Sequence, residues 1–343
     1  MRPIVYSVIT TIALPTPSVD HLLSRLDEVG GELIVVGDAK GPSQYERRHT
    51  LFLSLEGQHL LPFETVRGLP IGHYTRKNVG YLTAISKRAA CIYETDDDNA
   101  PLDSWAARPL SVQAVPAKAD GWFNVYRCFT DEFIWPRGLP LDQIRNGRFA
   151  ATALAAAPQE VTAPIQQGLA DNSPDVDAVW RLLHDKPFTF DRRPSVCLQP
   201  GTWCPFNSQS TWWWPQAYPL MYLPSFCSFR MTDIWRSFVA QRCLWEMGYG
   251  VVFHAAEVYQ ERNPHDLMKD FEAEIPGYRG NQAFVDVLAA TSLKPGVGNA
   301  LDNLVRCYER LIEAGFFPDK EMELVRAWAQ DIEPLMSSFA CSK

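Results

Sequence analysis

The chain has 343 residues, 46% apolar and 21% charged. That balance belongs to one large globular domain or two ordinary ones and excludes a disordered or fibrous chain. The net charge is −8 and no Lys/Arg cluster is dense enough to follow a phosphate backbone, so nucleic acid is excluded as a main partner; a polyanion would need a local site or a metal.

No stretch approaches the ~20 apolar residues that span a bilayer, and the short apolar run at the N-terminus reads as a buried strand rather than a leader. Eight cysteines without a CxxC pair argue against a zinc ribbon or thioredoxin-type site. Apolar settings such as those of Cys91 and Cys243 suit reduced, buried thiols. The expected location is cytoplasmic, with peripheral attachment to a membrane left open.

Ile4 to Thr11 is β-branched and apolar and predicts a central strand. Leu22, Leu23 and Leu26 make the apolar stripe of a helix over 19–29. Glu32 to Val36 predicts a second buried strand ending at Gly37-Asp38, and Leu51 to Leu55 a third. A helix over 76–88 carries Val79, Leu82, Ala84 and Ile85. Cys91 to Glu94 is a fourth strand that leads into Thr95-Asp96-Asp97-Asp98-Asn99. This alternation implies a mostly parallel sheet with right-handed crossovers, in which ligands bind at the carboxyl ends of the strands, where Asp38 and Asp96 to Asp98 fall.

Residues 136–195 are less regular, with an Ala-rich run over 150–157 and a short helix over 175–183. Residues 197–230 are aromatic and proline-rich and include Trp212-Trp213-Trp214. Thr232 to Met247 predicts an amphipathic helix ended by Gly248, and Val251 to Phe253 a short strand. From Asn281 on, the pattern is two or three helices joined at Lys294-Pro295-Gly296 and Phe317-Pro318. Their apolar positions, among them Phe284, Leu288, Leu304 and Leu311, need a partner surface, either the main domain or a second subunit of a homo-oligomer.

Three consecutive aspartates after a buried strand repel one another unless something compensates. A divalent cation would do so, and a solvated turn or a cap at Asp98 or Asn99 would explain the same residues. Arg76-Lys77-Asn78 opens the preceding helix, where two cations suit a diphosphate or simply decorate a surface. Thr232 or Asp233, at the start of the 232–247 helix, could simply cap it. Trp203, Phe206 and the three tryptophans could pack in the core or stack on sugar rings, and the amides of Asn207 and Gln209 suit hydroxyl recognition.

Tyr74-Thr-Arg-Lys-Asn-Val-Gly-Tyr-Leu-Thr-Ala-Ile85, followed by Ile92-Tyr-Glu-Thr-Asp-Asp-Asp-Asn99, resembles the nucleotide-sugar-binding half of the STELLO-type glycosyltransferase-like proteins. These are distantly similar to the reversibly glycosylated polypeptides, the UDP-arabinopyranose mutases. The resemblance recurs at residues 167–178, 199–209 and 240–246 and covers roughly residues 3 to 265, with the C-terminal helices outside it. It implies a GT-A-type (Rossmann-like) α/β fold: a mixed, mostly parallel sheet flanked by helices. The catalytic domain would span 1–280 and a helical extension 281–343.

The resemblance also implies a site. Mn²⁺ or Mg²⁺ would sit on Asp96 and Asp98, with Asp97 on the ribose or donor sugar and Arg76 at the diphosphate. Thr10, Thr11 and Asp38 would hold base and ribose. Asp233 stands where inverting enzymes place the general base. GT-A enzymes often take a further metal ligand from a C-terminal histidine; His254 is the candidate here, with Glu257 and His265 as alternatives. The implied activity is metal-dependent transfer of a sugar from a nucleotide-sugar donor, a UDP-sugar foremost, to a glycan or lipid-linked acceptor, as in polysaccharide biosynthesis. Two rivals keep the fold: a nucleotide-sugar mutase, and a non-catalytic partner of other glycosyltransferases. The plant members of the family are membrane-anchored, and no anchor is visible in this sequence.

Overall fold

The computed structural model describes residues 4–144, 157–262 and 266–340. Nearly all of the Ala-rich run, and His265, lie outside them. Four strands open the chain: β1 (Val5–Thr10), β2 (Glu32–Val36), β3 (Thr50–Leu53) and β4 (Cys91–Thr95). They pair in parallel in the order β3-β2-β1-β4. Helix α1 (Pro17–Val29), capped by the Thr16 hydroxyl, lies between β1 and β2 in the chain. The short helices α2 (Leu55–His59) and α3 (Glu64–Gly68) follow β3, and α4 (Lys77–Ser86) precedes β4.

These strands read as near-continuous apolar runs because both faces are covered. Ile9, Leu33 and Val35 pack with α1 on one face, and Val8, Ile34 and Val36 with α4 on the other. Helix α4 approaches the sheet so closely that a Cβ on Gly80 would sit 2.5 Å from Val8 Cγ1, so only glycine fits there.

The remaining strands are β5 (Asn99–Pro101), β6 (Ser111–Ala117), β7 (Gly121–Trp122), β8 (Gln159–Thr162), β9 (Ile165–Asp171), β10 (Val196–Leu198), β11 (Thr202–Trp203), β12 (Ser210–Trp213) and β13 (Val251–Gln260). The main sheet runs β3-β2-β1-β4-β12-β9-β13-β10-β6-β8, with β5 on β13. Strand β12 is antiparallel to both β4 and β9, and β13 is parallel to β9. As a result β1, β2, β4, β9 and β13 all end at one edge of the sheet. This is the mixed α/β, Rossmann-like arrangement expected of a GT-A-type fold.

Strand β13 has ten residues where the apolar pattern predicted three. The pattern fails at Glu257, a core residue that Arg108 neutralises and that accepts hydrogen bonds from Ser210 Oγ and Trp212 Nε1. Similarly, Gln166 and Gln167 hide β9: Gln166 Nε2 donates to the carbonyls of Pro109, Leu110 and Ala163. Trp203, Phe206 and Trp212 to Trp214 are all buried. They are core residues, with Trp212 and Trp213 on opposite faces of the sheet, and none offers a ring to a sugar.

Five helices complete the described chain: α5 (Ala178–His184), α6 (Thr232–Glu246), α7 (Leu267–Ala290), α8 (Ala300–Glu313) and α9 (Glu321–Ala340). Helix α7 begins before residue 281 and runs unbroken through residue 280. Trp235 of α6 stacks on Phe284 of α7 at 5.0 Å and meets Phe317 at 5.3 Å. The carboxylate of Asp331 in α9 accepts the backbone N–H groups of Glu64 and Thr65 and caps α3. Glu321 accepts the N–H groups of Ser225 and Phe226. The C-terminal helices thus complete the main core.

Candidate active site

Two adjoining cavities open where β1, β2, β4, β9 and β13 end. One, of about 320 Å³, is lined by Thr10, Thr11, Gly37, Asp38, His73 and Arg76 among others. The second, of about 230 Å³, is lined by Asp96 to Asp98, Arg137, Asp175, Arg181, Arg230, Asp233 and Arg262 among others. Thr10, Tyr74, Asp97 and Phe229 line both. All the expected site residues except His254 therefore meet in one continuous cleft.

In the first cavity the Asp38 carboxylate accepts the N–H groups of Gly72 at 2.9 Å and His73 at 3.0 Å, which fixes the loop before α4. Burial holds the His73 ring below its usual pKa, against the pull of Asp38. Arg76 is 1% exposed. Its Nε donates to Gln58 Oε1 at 2.7 Å and its Nη1 to the Leu69 carbonyl at 3.2 Å, while Nη2 is buried with no partner among the described residues. The Thr11 hydroxyl donates to Asp97 Oδ2 at 2.5 Å, tying the end of β1 to the acidic turn after β4.

Lys77 is fully buried. Its Nζ donates to Asp96 Oδ1 at 2.8 Å and to the Thr95 carbonyl at 2.6 Å. Asp98 Oδ2 accepts from Gln260 Nε2 at 3.1 Å, and its Oδ1 is buried without a hydrogen-bond partner. Burial, with the charges of Asp96 and Asp97, pushes the Asp98 carboxyl up to about 7. An orphaned carboxylate oxygen beside two like charges is the donor chemistry a hard divalent cation satisfies, so the residues fit one. Among the described residues no group of three His, Cys, Asp or Glu side chains is arranged around a metal position. Two protein carboxylates, with diphosphate oxygens and water completing the shell, is the usual Mg²⁺ arrangement.

His254 is not brought to this cluster. It is buried on β13, its ring nitrogens 2.7 Å from Ser195 Oγ and 2.9 Å from Gln166 Oε1. Burial and the neighbouring Arg108 hold it well below its usual pKa. Glu257 lies in the core as described.

Asp233 sits in the first turn of α6, but the residue before that helix is Met231, without a side-chain cap. The carboxylate is instead gripped by both Nη atoms of Arg137, at 3.1 and 2.9 Å, and accepts the N–H of Ser208 at 3.3 Å. Arg137 also holds both oxygens of Asp175 at 2.8 Å. Burial favours protonation of Asp175, and the guanidinium more than offsets it, keeping this carboxyl below the usual range.

Sequence reasoning missed Arg137, Asp175, Arg181, Arg230, Gln260 and Arg262 as site residues. Asp175 follows the end of β9, within the quoted 167–178 stretch, and Arg262 lies two residues past β13. Both would have been found had those strands been traced to their ends.

A family model described as STELLO glycosyltransferases matches residues 230–341. The chain is 27% identical over 351 residues, 95% of its length, to "Probable glycosyltransferase STELLO1" of Arabidopsis thaliana. It is also 28% identical over 329 residues, 88% of its length, to "Probable glycosyltransferase STELLO2" of the same plant. The chain spans 44% and 41% of these two relatives, less than half of either. The family match includes α7 to α9, which corrects the expectation that the C-terminal helices fall outside the resemblance; they share the core with α6. No described helix is long and apolar enough to cross a membrane.

Proposed function

We propose that the protein is a metal-dependent glycosyltransferase that moves a sugar from a nucleotide-sugar donor, a UDP-sugar foremost, to a hydroxyl of a glycan or lipid-linked acceptor, with inversion at the anomeric carbon. The observation that carries this reading is the pair of adjoining cavities that share Asp97. In this reading the first takes the nucleoside, with Thr10, Thr11 and Asp38 at base and ribose and Arg76 at the diphosphate. The second is lined by Asp96, Asp98 and Asp233, so the metal aspartates and the base of this reading share one cavity.

Mn²⁺ or Mg²⁺ held by Asp96 and Asp98 would supply positive charge to the diphosphate leaving group. Lys77 orients Asp96 through its hydrogen bond and adds a fixed cation behind it. Asp233 takes the proton from the attacking hydroxyl oxygen, and Arg137 fixes the direction of its lone pairs.

The test is calorimetry of uridine diphosphate binding with Mn²⁺ and with chelator, on the wild type and on Asp98→Asn. Tight binding only with Mn²⁺, lost in the variant, is expected. Equal affinity in all conditions would overturn the metal assignment.

A further inference from the structure

Four arginines line the second cavity, and three are paired. Arg137 holds Asp175 and Asp233, Arg230 Nε and Nη2 hold Glu274 Oε1 at 2.9 and 2.8 Å, and Arg262 holds Asp270 at 2.6 Å. Arg181, on α5, has no ion-pair partner among the described residues. It is only 7% exposed. Its Nη2 donates to the Pro174 carbonyl at 2.6 Å. Nη1 has no hydrogen bond among the described residues, and Nε is buried without one. A buried guanidinium with two unused nitrogens lining a cavity is costly. Burial and the neighbouring charge of Arg262 outweigh the pull of Asp175 and, with Arg230 adding to them, lower its pKa to about 10.

Arg181, Arg230 and Arg262 line the second cavity and are absent from the lining of the first. Arg181 therefore belongs to the end of the cleft that lies outside the cavity where the nucleoside is placed. We propose that this end is an oxyanion subsite for the acceptor: Arg181, flanked by Arg230 and Arg262, takes a phosphate or carboxylate group carried by the acceptor substrate. The planar guanidinium fork matches the oxygens of either group. The inference rests on the donor reading above only for the word acceptor; the subsite itself rests on Arg181.

The test measures binding of glucose 6-phosphate, glucuronate and neutral glucose to the full chain by calorimetry, with uridine diphosphate plus Mn²⁺ titrated separately. The wild type is expected to bind at least one of the two anions at least tenfold more tightly than glucose, and which one separates a phosphate from a carboxylate source. Arg181→Met should lose that preference and keep its affinity for uridine diphosphate. Arg181→Lys, which retains a charge and carries the test should the Met variant not fold, should keep a reduced preference.

No anion preference in the wild type, or an undiminished one in both variants, overturns the subsite. Parallel loss of uridine diphosphate in a folded variant assigns Arg181 to the donor and overturns the acceptor role. A wild type that prefers an anion but binds no uridine diphosphate would leave the subsite standing and remove the donor reading instead.

Discussion

Glu94→Gln should be among the most damaging isosteric changes in the protein. Glu94 lies on β4, two residues before Asp96, and is 0% exposed. Arg236 Nη1 donates to its two oxygens at 2.8 and 3.0 Å, Trp213 Nε1 at 2.9 Å, and the Tyr81 hydroxyl also donates to it. Arg236 is 1% exposed, lies 5.0 Å from the Trp213 ring centroid, and donates to Ser208 Oγ at 3.0 Å.

Burial alone would raise the Glu94 pKa, but Arg236 and Lys77 more than offset it and hold the group below the usual range. Glutamine keeps the shape and removes the only carboxylate that Arg236 pairs with among the described residues. Breaking one side of such a buried pair costs about 3–5 kcal/mol. The double variant Glu94→Gln/Arg236→Met removes both charges, and the two changes should couple by about 2–3 kcal/mol. Urea unfolding of the four proteins, with tryptophan fluorescence and circular dichroism required to coincide, gives these values. A single-variant cost below about 1 kcal/mol, or strict additivity, would refute the argument that an unpaired Arg236 is the penalty.

Asp233→Asn should lower transfer by about 10²–10⁴-fold, the worth of a positioned base, with uridine diphosphate affinity retained. It should also cost about 1.5–3 kcal/mol of stability, because Arg137 loses half of its clamp; near-normal turnover would remove Asp233 from the chemistry. Asp177 caps α5 through Trp180 N–H, accepts Trp135 Nε1–H, and is pushed by burial up to about 7. The folded state then holds this proton more tightly than the unfolded chain. The stabilisation it brings is whole below about pH 4 and is lost as pH rises to 7, by up to about 4 kcal/mol for three units. The stability difference between the wild type and Asp177→Asn should therefore fall over that window and level off above it, and a constant difference would contradict the assignment. A truncation at residue 280 should be insoluble, since it cuts α7 and removes Phe284 and Phe317 from the ring cluster around Trp235; a soluble, active product would show that α8 and α9 are dispensable.

Strands β1, β2 and β4, and with them the acidic turn, were legible because they are buried on both faces, and an unbroken apolar run is then the signature; β3, at the sheet edge, is only partly buried. Legibility failed where the core is polar. Glu257 and Gln166 interrupt β13 and β9, and what makes them tolerable, Arg108 and the carbonyls of Pro109 and Leu110, lies far away in the chain. His254 looked like a ligand since it follows an apparent strand end; the strand in fact continues, and the ring is a satisfied core group. Lys77 was weighed as a surface cation, and its burial beneath Asp96 has no local signal. Asp233 could be read as a cap from its position in the sequence, because its real partner, Arg137, sits in a stretch without periodicity.

The capping of α3 by Asp331 reaches across 267 residues of chain and sets a schedule for biosynthesis. At ~5–20 residues per second, about 13–53 s pass between the synthesis of Glu64 and that of Asp331. Once β4 has emerged the strands from β1 to β4 can pair, but until Asp331 is made α3 lacks both its cap and the packing of α9 against it. The nascent chain carries an uncovered apolar flank until α9 has emerged, so a ribosome stalled near residue 320 would release a fragment prone to aggregate.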